Sequence, residues 1–313
     1  MIVAVTGGTG FIGKRLVEHL VGRGDTVRLL TRASVIPGKH PLVEVHNCDL
    51  VTMNASDLSS ILDGVDVLYH CAGQLTNPQA MRALHVDATR KLVEAASRRI
   101  GHWVQLSSVG VYGPVHEGAI DEDSAINPVG EYEITKAESD SIVANGAALA
   151  GFSYSVLRPS NVFGIHMRNQ SLFKMISMID RGWFFYIGKP GASANYIHVD
   201  NVAEGLVRCG TMQAAHGMTF NLSGHCTLEH FAGVIAEALG RSAPSLRIPL
   251  PAARMMGAAL GRVPGFPLTR SRIAALTNRS IYPISRIRHV LGYRHIVTME
   301  EGLRELVAAY RQR

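Results

Sequence analysis

In the first half of the chain, apolar residues come in short unbroken runs, separated by longer stretches with helical spacing. The runs "IVAVT" (2–6), "TVRLLTR" (26–32), "LVEVHNCDL" (42–50), "VDVLYHCAG" (65–73), "HWVQLSS" (102–108) and "FSYSVLRPS" (152–160) predict strands. They are apolar at consecutive positions, as strands of a parallel sheet covered on both faces are. Between them, "FIGKRLVEHLVGRG", "ASDLSSILDG", "PQAMRALHVDATRKLVEAASRR" and "EYEITKAESDSIVANGAALA" predict helices, the first ending at Gly22 or Gly24. Strand and helix in strict alternation predict an α/β fold with a doubly wound parallel sheet.

After residue 160 the rhythm loosens into short helices and isolated strands. A dinucleotide-sized domain over 1–160 is expected, with "YIHV" and "GMTFNLS" (near 195–222) returning to its sheet. Residues 161–313 are expected to form a smaller, mainly substrate-binding region with C-terminal helices. The last helix should start at Thr298, with Glu301 completing a capping box and Leu303, Leu306 and Val307 on its buried face. The stretch "PLPAARMMGAALGRVPGFPL" is interrupted by Arg254, Arg262, Pro and Gly, so it reads as a short helix or loop over a cleft and not as a membrane span.

The first strand runs into "TGGTGFIG". Gly7 and Gly8 permit a tight turn, Gly10 lets backbone approach a pyrophosphate, and Gly13 lets the helix pack close to the strand. The helix that opens at Phe11 and Ile12 then offers free N–H groups and a positive dipole end to phosphate. A nicotinamide dinucleotide on a Rossmann-type sheet is therefore expected. An acid at the end of the second strand would select NAD; the chain has Arg32 there, 19 residues after Gly13, which can pair with a 2′-phosphate and favours NADP over NAD.

Composition narrows the class. Charged residues are 18% and hydrophobic ones 47% of 313, an ordinary globular balance. The net charge of +6 comes from basic residues without a run of five or six, so an enzyme handling anionic ligands is expected, not a nucleic-acid or membrane protein. Cys48, Cys71, Cys209 and Cys226 show neither CxxC nor a histidine at ligand spacing, and read as reduced core residues with no metal site. With "MIVAVTGG" entering a strand directly, a cytoplasmic location is expected.

Tyr132 and Lys136 stand one helical turn apart in "EYEITKAESD", so both can face one cleft. Nine Tyr and six Lys give about 0.2 such pairs by chance, so the spacing alone is weak. A phenol is a poor base at neutral pH, and a nearby ammonium is expected to lower its pKa. Tyr132 could then exchange a proton with a substrate oxygen while a nicotinamide moves a hydride.

Taken together these motifs resemble the extended short-chain dehydrogenase/reductase family, nearly end to end. "TGGTGFIG" is similar to its TGxxGxxG. "CDL" looks like its segment at the adenine, with Asp49 and Leu50 as contacts, and "HCAG" like the strand end along which the cofactor runs, giving Ala72 and Gly73. "SSVGVYG" is similar to the catalytic Ser segment, "YEITK" to YxxxK, and "LRPSNVFG" to the strand and loop near the nicotinamide. The resemblance implies Ser108, Tyr132 and Lys136 as catalytic residues, with Tyr132, Lys136 and Pro159 also at the cofactor. It further implies a homodimer through the helices around 80–98 and 132–149.

Two branches of the family compete for the substrate. Asn161 falls where nucleotide-sugar enzymes place an Asn at the diphosphate, and Arg168 follows within reach of an anion. That branch implies C4 epimerisation or keto-sugar reduction; Val109 and Gly110, where a 4,6-dehydratase has an acidic pair, make dehydration a poor fit. Against it, Ala194 stands near the point where many such enzymes grip phosphate with Arg. The alternative is a reductase or dehydrogenase of a hydroxysteroid, flavonoid or other small carbonyl compound, which "IHVDNVA" also resembles; His198 there reads as packed or surface. A non-catalytic cofactor-binding regulator is the third reading, disfavoured because Ser, Tyr and Lys are all kept.

Overall fold

The structure is a computed structural model and describes residues 1–34, 36, 40–167, 169–260 and 269–313, with backbone only at 260 and 271. The first half contains β1 (Ile2–Thr6), α1 (Phe11–Gly22), β2 (Thr26–Thr31), β3 (Val43–Asn47), α2 (Ala55–Leu62) and β4 (Val65–His70). It continues through α3 (Pro78–Arg82), a single π turn (Ala83–Asp87), α4 (Ala88–Ala96), β5 (Ile100–Leu106), β6 (Glu117–Ala119), α5 (Glu131–Ala150) and β7 (Ser153–Pro159). The second half holds β8 (Asn161–Phe163), α6 (Ser171–Asp180), β9 (Tyr186–Ile187), β10 (Ser193–His198), α7 (Val199–Thr211), β11 (Met218–Leu222), β12 (Gly224–Thr227) and α8 (Leu228–Leu239). It ends with β13 (Arg247–Ile248), α9 (Leu250–Leu260), α10 (Arg270–Thr277), β14 (Arg279–Ile281), α11 (Ser285–Leu291) and α12 (Met299–Arg311).

Seven parallel strands form the central sheet in the order β11-β7-β5-β4-β1-β2-β3. Alternate residues of each strand feed opposite cores, because side chains alternate across a pleated sheet. Val3, Val5 and Leu29 pack into the core beneath α1 and α7, while Ala4, Leu30 and Leu68 pack into the one beneath α2, α4 and α5. This is why the strands read as unbroken apolar runs. The chain winds to one side of β1 through β2 and β3, then crosses back to β4. The carboxyl ends of β1 and β4 therefore border the crevice where ligands of such sheets bind.

"GMTFNLS" joins the central sheet as β11, beside β7. "YIHV" does not: it lies in β10, which pairs with β8 and β12 in a separate three-stranded sheet, correcting the sequence expectation. Its apolar residues satisfy a second core instead, where Tyr196 stacks on Phe231 and meets Phe163 edge-to-face. The helix predicted over "PQAMRALHVDATRKLVEAASRR" carries one inserted residue at the π turn. The capping box of Thr298 and Glu301 forms, and Leu303, Leu306 and Val307 are buried. Of the stretch predicted as a helix or loop over a cleft, residues 250–260 are the helix α9; Arg262 and the rest of 261–268 lie outside the described residues. The four cysteines form no disulfide, and among the described residues no helix is long and apolar enough to cross a membrane.

Candidate active site

The Gly-rich turn is built so that only glycine fits. Gly7 has φ +68°, and a Cβ there would lie 2.6 Å from the Ala72 backbone nitrogen at the end of β4. A Cβ on Gly13 would lie 2.2 Å from the Gly7 carbonyl oxygen. The turn thus brings β1, β4 and α1 together at the sheet crossover. Gly10 caps α1 without a side-chain hydrogen bond, and no acid occupies the first helical turn, so no side chain of the turn compensates the dipole at the start of α1. This helix start fits a dinucleotide pyrophosphate. Arg32 is exposed one residue past β2, and among the described residues it has no ion-pair partner.

The other predicted cofactor residues take several positions. Asp49 is half-buried and its carboxylate accepts from the Val51 N–H at 2.9 Å, while Leu50 is buried in the core with its side chain turned inward. Ala72 is buried and Gly73 exposed, the latter facing His85. Pro159 is buried at the end of β7. Asn161 is exposed on β8, but its amide donates to the Asn195 carbonyl at 3.2 Å. Arg168 lies outside the described residues.

Ser108 follows β5, and its Oγ accepts from the Gly110 N–H at 3.1 Å, capping the short turn Val109–Tyr112. The hydroxyl proton is left to donate elsewhere. Tyr132 is half-buried in the first turn of α5, and among the described residues its hydroxyl has no hydrogen-bond partner. One turn further on, the buried Lys136 ammonium donates to the Leu106 carbonyl at the end of β5. The ammonium is turned to that carbonyl, and burial holds Lys136 below its usual pKa. Burial, then the carboxylates of Glu133 and Asp140, push the Tyr132 phenol up to about 12. The expected lowering by Lys136 is therefore absent in the protein alone, because desolvation of the phenolate outweighs the distant cation.

A buried polar network missed at the level of sequence supports this pair. His85 sits on the π turn with its ring edge-to-face on Tyr132, centroids 5.7 Å apart. Its Nε2 accepts from the Gln74 N–H at 2.9 Å, so Nδ1 carries the proton and donates to Thr135 Oγ1 at 2.8 Å. Beneath Lys136, the Asp140 carboxylate accepts from Ser107 Oγ at 2.7 Å and from the Arg158 guanidinium at 3.3 Å. Arg158 in turn donates to the Tyr112 hydroxyl, which donates to Asn221 Oδ1 on β11. The only signal available in sequence was Asp140 itself, one turn after Lys136.

Burial first, then the Lys136 charge, lowers His70 and His85 to about 3. Both are neutral at pH 7, and the unfolded chain takes up their protons near 6.5. Their contribution is complete above pH 6.5 and is lost as pH falls from there towards 3, by up to about 1.4 kcal/mol per pH unit for each histidine. Urea midpoints measured between pH 7.5 and 5 should fall with pH, and the slope should shrink in His70→Asn.

A cavity of about 440 Å³ near the start of α12 is lined by His198, His225 and Thr298, but by none of Ser108, Tyr132 or Lys136, so it is separate from the reaction cleft.

Residues 3–223 match the family described as NAD dependent epimerase/dehydratase family. A 3 beta-hydroxysteroid dehydrogenase/Delta 5-->4-isomerase of Mycobacterium tuberculosis is 27% identical over 98% of this chain and 90% of its own length. A dTDP-glucose 4,6-dehydratase of Streptomyces griseus is 26% identical, over 75% of this chain and 78% of its own. The crystal structure of UDP-glucuronic acid 4-epimerase from Bacillus cereus with NAD has a TM-score of 0.77 at 19% identity, covering all of this chain and 99% of that one.

Proposed function

The chain belongs to the NAD dependent epimerase/dehydratase family, and we propose that it oxidises or reduces a ring secondary alcohol or ketone of a lipophilic, hydroxysteroid-type substrate. The observation that carries the substrate reading is on β10. Ala194 is buried in an apolar core, the side chain of Asn195 donates to the Ser280 carbonyl, and Asn161 is held by the Asn195 carbonyl. Arg279, which follows α10, donates to the carbonyls of Lys189 and Pro190. Among the described residues, Ala194 thus stands where an Arg would grip phosphate, and Asn161 and Arg279 are already bonded within the protein. The hydroxysteroid relative spans nearly the whole chain, which supports the same reading.

A bound nicotinamide dinucleotide supplies the hydride acceptor or donor. The fingers of Gly7, Gly10 and Gly13 would hold its pyrophosphate, and the exposed Arg32 supports NADP as the form preferred. Tyr132, protonated at neutral pH, donates to the substrate carbonyl oxygen in reduction and takes the proton back in oxidation. Ser108 donates a second hydrogen bond to the same oxygen. Lys136 holds the end of β5 and brings positive charge under the site. Dehydration is disfavoured further by Gly110, where a Cβ would come within 2.9 Å of Glu133 Cγ. A homodimer through α4 and α5 is part of the same reading.

A nucleotide-sugar epimerase or reductase is the second reading, favoured by the exposed Asn161 and the dehydratase relative. The two separate in a melting experiment with NADP or NAD present. A 3-hydroxysteroid should raise the melting temperature and UDP- or dTDP-glucose should not; the reverse result would move the assignment to the second reading.

A further inference from the structure

Basic charge is unevenly distributed along this chain. Residues 238–299 contain ten Arg and no Asp or Glu, where the average acidic content of the chain would give about five acids. Of the 31 Lys and Arg, 21 lie outside this stretch, against all 25 acids, so the rest of the protein is formally −4. Even spacing hides the bias, because no run of basic residues forms.

Several of these guanidiniums are held internally. Arg241 pairs with Asp180, Arg247 with Glu229, and Arg286 with Glu122 and Asp123. Arg254 on α9 and Arg270 at the start of α10 are exposed, and among the described residues neither has an ion-pair partner. They flank an apolar surface. α9 turns Ala253 and Gly257 inward, Ala253 against Ile187 and Ile273, while Met255 is 72% and Met256 39% exposed on the outer side. Leu246, 62% exposed, leads into the same unit through β13, which pairs with β9. The chain enters β9 from Trp183, 65% exposed, with the Arg181 guanidinium 5.5 Å from its ring.

Exposed methionines cost solvation free energy in water and are seldom clustered without a partner. A helix whose outer side combines such residues with an arginine, followed by a second exposed arginine at the start of α10, has the make-up of a surface that lies in a lipid interface. The absence of any carboxylate on the same stretch removes what an anionic surface would repel.

We propose that the outer side of α9, with the start of α10, docks this protein onto an anionic lipid bilayer. Met255 and Met256 enter the acyl boundary, and Arg254 and Arg270 meet lipid phosphates. The proposal is independent of the substrate reading, because it concerns no group of the reaction cleft. Should the substrate be lipophilic, the docked protein would meet it in the phase where it dissolves.

The test is co-sedimentation of the full chain with phosphatidylcholine vesicles, with and without phosphatidylglycerol. Binding to the anionic vesicles should be about tenfold tighter or more, and high salt should remove that preference. Met255→Asp with Met256→Asp, and separately Arg254→Glu with Arg270→Glu, should each weaken it about tenfold while the melting temperature stays unchanged. Absence of vesicle binding overturns the proposal, as does equal binding to neutral and anionic vesicles. So does a methionine variant that binds like wild type, or one that instead abolishes self-association in gel filtration, since the side would then be a contact between copies of the chain. The salt and lipid arms need no variant, so misfolding of a variant leaves the test intact.

Discussion

Replacing Tyr132 by Phe is expected to lower turnover about 100- to 10,000-fold while leaving the fold and cofactor affinity in place. The ring packs edge-on against His85, and phenylalanine keeps that contact. The hydroxyl has no hydrogen-bond partner among the described residues, so its removal strands no buried donor or acceptor. What is lost is the proton held ready by burial, with the phenol near 12. Steady-state kinetics together with a thermal melt separate the two effects. A variant that turns over at close to the wild-type rate would assign proton transfer to another group.

The second large effect is on stability. Asp140→Ala should cost about 3–5 kcal/mol, because it leaves the Arg158 guanidinium buried without its carboxylate. Both side chains are nearly inaccessible, at 7% and 6% exposure. Burial pushes Asp140 up, and Arg158, then the Ser107 hydrogen bond, pull it down. Ser107 and the Tyr112–Asn221 chain would lose their common anchor, so the loss reaches from β5 to β11. Urea denaturation gives the value, and Asp140→Ala with Arg158→Met should recover part of it. A loss under about 1 kcal/mol would mean that water or another group compensates the guanidinium.

The cradle and the Tyr–Lys turn were legible in the sequence because each is local: glycines in one turn, and two side chains four residues apart. The supporting network was not, because its members meet only through the fold. His85 reaches Thr135 across 50 residues, and Asp140 is met by Ser107 just past β5 and Arg158 from β7. The π turn that presents His85 comes from one extra residue in a helix, which apolar spacing does not register. "YIHV" failed for a related reason. An apolar strand reports that it is buried, but not which sheet will pair with it. Even the charge bias of residues 238–299 escapes a search for runs, since its arginines are separated by apolar residues.

The central claim is that a hydride passes between nicotinamide and a ring carbon while Tyr132 handles the proton. Tracing the hydrogen tests it most directly: reduced NADP carrying deuterium at both C4 positions is incubated with the protein and a 3-ketosteroid, and the product is examined by mass spectrometry. The account predicts one deuterium on the carbinol carbon, formed by wild type and nearly lost in Tyr132→Phe. An alcohol free of label would contradict it.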